Sequence, residues 1–173
     1  MIKKKLIFGT QCLGSYLNEE ESLSLLDQVY DFGVKRFDCA ERYPFPEKNE
    51  TFGLTEEIIG YWQKKNKVRR FILIDTKVTG RNFGEIKSVG GNRLLPKRII
   101  LAAEKSLKRL KTDYIDTFYI HWPDRFTNNF DRLYYSPTND PKVIPLEAQF
   151  EAILKLKKSG KIRNFGISNE SAW

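Results

Sequence analysis

Four side chains of this sequence have the chemistry to handle a proton on an oxygen: Asp38, Tyr43, Lys77 and His121. Asp38 and Tyr43 lie in FDCAERYP, Lys77 ends RFILIDTK, and His121 ends YIDTFYIH. A phenol is a weak acid near neutrality, with an ordinary pKa of about 10. A nearby ammonium favours the phenolate and lowers that value. An aspartate beside the lysine would keep it charged and aimed, and a histidine could orient a carbonyl oxygen toward the phenol. The set therefore reads as acid catalysis by tyrosine. Each member also has a plainer role: Asp38 with Lys77 as a structural ion pair, His121 as a satisfied core residue, Tyr43 as a packing aromatic. The set stands out because each member sits at or just after the end of an apolar run. In parallel α/β folds, ligands bind beyond the carboxyl ends of the strands.

Other chemistries lack their residues. One histidine and two cysteines, Cys12 and Cys39, give neither an HExxH pair nor zinc-ligand spacing. No GxSxG elbow is present for a serine nucleophile. The glycines form neither GxGxxG nor GxxxxGK[ST], which argues against a Rossmann or P-loop phosphate site.

The elements that must position the four residues alternate. LIFGT (Leu6–Thr10), KRFD (Lys35–Asp38), RFILIDTK (Arg70–Lys77), YIDTFYIH (Tyr114–His121) and IRNFGIS (Ile162–Ser168) read as strands. RFILIDTK is a continuous apolar run of the kind found in buried parallel strands. Helical spacing begins after Asn18, an N-cap with Glu21 three residues on as in a capping box, and stops at Gly33. Further helices are expected over Leu54–Lys65, from Pro96, and from Pro145 to Gly160, the last with Phe150, Ile153 and Leu154 apolar. Strands alternating with helices predict a parallel sheet with right-handed crossovers. Two long connections follow strand ends: Thr79–Leu95, with four glycines, and Trp122–Ile144, with Phe126, Phe130, Tyr134 and Tyr135. Connections of this length are commonly binding loops or lids.

Composition narrows the class. Hydrophobic residues are 40% and aromatics 13% of the chain, enough for a packed core. No apolar run approaches the ~20 residues of a membrane span, and no signal-peptide core follows the basic start, so the expected location is cytoplasmic. The net charge of +8 is dispersed over helix faces and ends, which predicts a solvated surface and no nucleic acid partner.

FDCAERYP, DTKV (Asp75–Val78), YIDTFYIHWP (Tyr114–Pro123) and IRNFGISNE (Ile162–Glu170), in this order and at these spacings, resemble the aldo-keto reductases. GLTEEIIGYW and HWPDRFTN are similar to the bacterial Tas-like branch, related to the potassium-channel β subunits. The resemblance runs over essentially the whole chain. It implies Tyr43 as general acid, Lys77 as its pKa-lowering partner, Asp38 as the lysine's anchor and His121 as the residue orienting a small-molecule carbonyl. NADPH would supply the hydride. Ser168 and Asn169 match the pair that holds the nicotinamide carboxamide, and Gly9, Thr10 and Asp38 match the ribose side. Cys39 stands where a hydroxyl residue is common, with little effect expected.

The family folds as a (β/α)8 barrel of typically ~250 residues. The expected fold is therefore an incomplete (β/α)8 TIM barrel: residues 1–173 as a single domain of five β/α units, with the C-terminal three units absent. Two readings stay open. One is an NADPH-dependent reductase of an aldehyde or ketone. The other is an inactive truncated remnant, or a subunit of a split barrel completed by another chain. Open sheet edges predict self-association, and the inward side chains of ILIDTK, DTFYIH and NFGIS are expected to lose apolar partners.

Overall fold

The computed structural model describes residues 6–81, 91, 93–125 and 142–170. Phe126, Phe130, Tyr134 and Tyr135 of the second long connection lie outside the described residues, as do Gly84 and Gly90 of the first.

The helices start and stop where the sequence supplies caps. In α1 (Glu19–Phe32) the Asn18 side chain accepts from the Glu21 N–H at 3.0 Å, and Glu21 Oε2 accepts from the Asn18 N–H at 2.9 Å. Gly33 ends it at φ +103°, a left-handed conformation that favours glycine. The second helix, α2, spans Leu54–Asn66, and α3 (Pro96–Leu110) opens on its proline. Pro145 is the residue before α4 (Leu146–Lys158). Lys64, Lys65, Lys108, Arg109, Lys155, Lys157 and Lys158 fall in last helical turns, where the helix dipole favours cations. Much of the positive charge is thereby accounted for as helix-end charge.

The strands are β1 (Phe8–Gly9), β2 (Arg36–Asp38), β3 (Leu73–Val78), β4 (Ile115–Ile120) and β5 (Ile162–Ile167). All neighbours are parallel, in the order β1-β2-β3-β4-β5. This is the expected open sheet of an incomplete barrel. One boundary and one burial differ notably from the sequence reading. β3 starts later than its apolar run because Arg69–Phe71 forms a 3-10 turn. Leu154 is 54% exposed, because the buried stripe of α4 runs through Gln149, Ala152, Ile153 and Leu156 and Leu154 falls between its turns.

Register sorts the side chains. Phe37 pairs with Ile74 and with Phe8, and Thr76 with Phe118, so these share the helix-covered face. On the opposite face run Gly9, Asp38, Asp75, Thr117 and Asn164, with Lys77, Tyr119 and Gly166 in the next row. That face is polar and cross-linked. Arg36 Nε donates to Asp75 at 2.6 Å, and Arg36 Nη2 to the Thr117 hydroxyl at 3.1 Å. The expected loss of apolar partners is thus mostly not incurred. On this face Leu73, at 42%, is the strand residue with an exposed aliphatic side chain, whereas Phe165 and Ile167 of β5 are exposed on the helix side.

The core lies between sheet and helices. Trp62 of α2 packs its ring 5.2 Å from Phe37 and 5.8 Å from Tyr30, and its Nε1 donates to Asp27 at 2.7 Å. Glu56, also on α2, is buried and accepts from the Thr76 hydroxyl and from Arg109 Nε, both at 2.6 Å. α2 lies against the α3 backbone at Gly60, where an added methyl would lie 2.1 Å from the Arg109 carbonyl oxygen. The obstacle is backbone, so the helices would have to separate. Gly60→Ala is expected to lose about 1–3 kcal/mol of stability, measured by denaturant unfolding; an unchanged midpoint would contradict this packing.

Candidate active site

The C-terminal ends of β2, β3 and β4 bring the four residues together. Lys77 is the last but one residue of β3 and points to the same face as Asp38. Its Nζ donates to Asp38 Oδ1 and to the Cys39 carbonyl, each at 2.7 Å. The ammonium stands 5.2 Å from the centre of the Tyr43 ring. The Tyr43 and His121 rings meet edge to face, 5.8 Å between centres. His121 is 8% exposed, and its Nδ1 has no hydrogen-bond partner among the described residues.

Electrostatics differ from the sequence expectation at the phenol. Burial pushes the Tyr43 hydroxyl up to about 12, and Asp38 adds to the rise. Arg42 acts in the opposite sense, while the Lys77 ammonium is engaged by Asp38 and Cys39. Tyr43 is therefore a phenol that holds its proton. His121 is held well below its ordinary 6.5, first by burial and then by Lys77 and Arg42, so it is a neutral imidazole. Arg42 is itself paired with Glu47. Burial raises the Cys39 thiol, so it stays protonated and serves packing.

The residues matched to the nucleotide are placed unequally. Asn169 adopts φ +55° just beyond β5, and its side-chain N–H donates to the His121 carbonyl at 2.8 Å and to Ser168 Oγ at 3.1 Å. Gly9 has open space where a Cβ would stand. Thr10 is different: it is fully buried, and its N–H and hydroxyl both donate to the Asp38 carbonyl, at 3.1 and 2.9 Å. It supports Asp38 rather than presenting a surface to a ligand.

Several residues behind the site were not singled out from sequence. Glu41 is buried, accepts from the Thr79 N–H at 2.6 Å and pairs with Arg98. Asp124 is buried and bidentate to Arg93. The only sequence signal was their position, Glu41 within AER and Asp124 within HWPD, each close to a candidate catalytic residue. A groove of about 400 Å³ along α1, lined by Leu17, Glu20, Glu21, Ser24, Leu25 and Gln28, contains none of the four.

Comparison with known proteins decides the family. Residues 5–173 match the Aldo/keto reductase family. This chain belongs to it. This aldo/keto reductase chain is 37% identical over 166 residues to Protein tas of Escherichia coli, covering 95% of this chain and 48% of that protein. The solved structure of a thermostable aldo-keto reductase, Tm1743, in complex with the inhibitor epalrestat superposes with a TM-score of 0.70 at 29% identity, over 96% of this chain and 50% of that one. An aldo-keto reductase from Klebsiella pneumoniae, solved in complex with NADPH, gives 0.65 at 27% identity, over 96% and 46%. The chain spans about half the length of the relatives it matches. Among the described residues no helix is long and apolar enough to cross a membrane.

The depressed His121 makes the cluster sensitive to acid. Below about 6.5 the unfolded chain takes up a proton that the native imidazole refuses. Native stability should therefore fall as pH drops through 6.5 toward the lower native value, by at most about 1.4 kcal/mol per pH unit. Chemical unfolding at a series of pH values, compared between wild type and His121→Gln, should show this slope only in wild type.

Proposed function

We propose that this chain carries the catalytic tetrad of an NADPH-dependent oxidoreductase that reduces the carbonyl of a small aldehyde or ketone, with Tyr43 as general acid. The observation that carries the reading is the cluster itself: Lys77 held on Asp38 at 2.7 Å, with the Tyr43 ring beside both the ammonium and His121. A structural ion pair alone would not need a phenol and a neutral imidazole at its side.

The residues fit the nicotinamide half of the cofactor. Ser168 and Asn169 offer a hydroxyl and an amide next to His121, and the open space at Gly9 admits a ribose. NADPH, when bound, supplies the hydride. The His121 imidazole, kept neutral, donates a hydrogen bond to the carbonyl oxygen and does not compete as an acid. As that oxygen gains negative charge, the Tyr43 hydroxyl gives up its proton to it, leaving a phenolate and an alcohol. The Lys77 ammonium stabilises that phenolate, and Asp38 keeps the ammonium in place. Thr10 acts through Asp38. The reading takes residues 1–173 as one domain, the N-terminal part of a barrel, at work in the cytoplasm.

Tyr43→Phe preserves the ring contacts and removes the acid. In the protein that carries this chain it should lower the rate of carbonyl reduction on the order of 10²- to 10⁴-fold and leave nucleotide affinity unchanged. The 173 residues alone should bind NADPH weakly and with little preference over NADH, read by cofactor fluorescence. Equal turnover by wild type and Tyr43→Phe would end the acid assignment. Tight, NADPH-selective binding would place a phosphate site in this half.

Exposed Phe165 and Ile167 on β5 favour a second reading, a barrel subunit completed by another chain. Among the described residues β1 and β5 each have one neighbour in the sheet, so their outer edges can pair. Sedimentation of the 173-residue chain should then show association that Ile167→Lys weakens; a monomer at all concentrations speaks against it.

A further inference from the structure

The two long connections return to the body of the protein at one carboxylate. Asp124, three residues after His121, is buried. Arg93 Nε donates to its two oxygens at 3.0 and 3.1 Å, and Arg93 Nη2 to Oδ2 at 2.6 Å. The Leu94 N–H donates to Oδ1 at 2.8 Å, at the return of the connection that leads into α3. The Ile144 N–H donates to Oδ2 at 2.7 Å, at the return of the connection that leads into α4. Arg93 also reaches the Lys142 carbonyl, so it touches both returns as well.

The segment that carries His121 is confined from the other side too. The His121 N–H donates to the Val78 carbonyl at 3.0 Å. A methyl added at Gly80 would lie 1.9 Å from the Trp122 carbonyl oxygen, so the two backbones touch. The His121–Asp124 turn is thus wedged between the exit of β3 and the Asp124 clamp. An ion pair with additional backbone donors on the carboxylate is satisfied at every oxygen. Such a pair fixes geometry in a way that a single surface pair does not.

We propose that Asp124 is a positioning residue for His121: its carboxylate, held by Arg93, locks the turn carrying the imidazole to the return ends of both long connections. The role rests on reading His121 as part of the catalytic site, but the clamp can be judged without turnover. Asp124 touches no reacting atom. It acts by keeping the imidazole buried at its edge-to-face distance from Tyr43. The charged and titratable groups that face His121 are Lys77 from β3 and Arg42 and Tyr43 from the segment after β2, with Asn169 after β5 on its carbonyl. Asp124 is not among them, so an effect on His121 must pass through position.

His121 is the one histidine in the sequence, so isotope-labelled histidine gives a single imidazole to follow by NMR. Asp124→Asn and Arg93→Gln, made in the full chain, should each raise the His121 titration midpoint toward 6.5 and change its ring shifts. The double variant should add nothing further. Glu56→Gln breaks another buried pair, between α2 and α3, and should lower the melting temperature while leaving the His121 signal as in wild type. A wild-type His121 midpoint and wild-type shifts in both clamp variants would overturn the proposal and leave Asp124 a purely structural residue. Should Asp124→Asn fail to fold, Arg93→Gln decides between the two outcomes alone, since it leaves the Leu94 and Ile144 bonds in place. In the assay for carbonyl reduction, run on the protein that carries this chain, the clamp variants should lose kcat on the order of 10- to 100-fold with NADPH affinity unchanged. Absence of turnover in wild type would sink the catalytic reading, with the NMR result still deciding the clamp.

Discussion

The nearly buried ammonium of Lys77 is the constraint on which the rest of the arrangement depends. A cation taken out of water is costly unless it is paired and hydrogen-bonded. Here the side chain is 9% exposed and its Nζ is shared between the Asp38 carboxylate and the Cys39 carbonyl. Meeting that need fixes β2 against β3 at their C-terminal ends. It also fixes the start of the segment that carries Tyr43, because Cys39 and Ala40 lead directly into it. The Cys39 N–H in turn donates to the Asp75 carbonyl at 2.8 Å, and the Glu41 N–H to the Lys77 carbonyl at 3.2 Å. The backbone around the ammonium is therefore tied down on both sides.

The same logic repeats through the interior. Arg36 with Asp75, Glu56 with Arg109, Glu41 with Arg98, and Arg93 with Asp124 are each carboxylate–guanidinium pairs with at least one partner buried. Pairs of this kind add little net stability over apolar residues of the same shape, but removing one partner costs about 3–5 kcal/mol. They act as registration devices: each joins elements distant in sequence at one distance and one orientation. Parallel strands need this more than hairpins do, since their connections are long and set no register. Arg69 adds a further case, donating to Asp116 at 2.7 Å while its guanidinium lies 3.8 Å over the Tyr114 ring.

Half of a barrel can present the formed Asp38–Tyr43–Lys77–His121 cluster because the cluster is local to β2, β3 and β4. Its members touch each other and the β5 end through Asn169, and none of the contacts described requires a more distant strand. Grip on a whole dinucleotide is another matter. The chain spans about half the length of its relatives. Variants of Tyr43 and nucleotide titrations therefore address the proposed chemistry and the nucleotide affinity independently.

Much of this was legible in the sequence, for local reasons. Asn18 and Glu21 announce a helix start, Gly33 a stop and Pro96 a first turn, because capping depends on residues within a few positions. The alternation of apolar runs with helical spacing specified a parallel sheet. Strand-end positions then gathered Asp38, Tyr43, Lys77 and His121 on one side. What the sequence could not show were quantities set by distance and burial. The direction of the Tyr43 shift depended on the three-dimensional desolvation of the phenol and on Asp38 lying beside it. The polar character of the barrel-facing rows depended on register, which moves a whole set of side chains from one face to the other. Thr10 turned from ligand contact to support because its hydroxyl found the Asp38 carbonyl, 28 residues away in sequence. Asp124 and Arg93 carried no motif of their own, and they became a clamp only when the fold closed 31 residues of chain onto a 2.6 Å contact. The sequence thus determined which residues stand at the strand ends, since that follows from local periodicity; the tertiary structure alone decided their charge states and their partners, since those follow from which groups exclude water from one another.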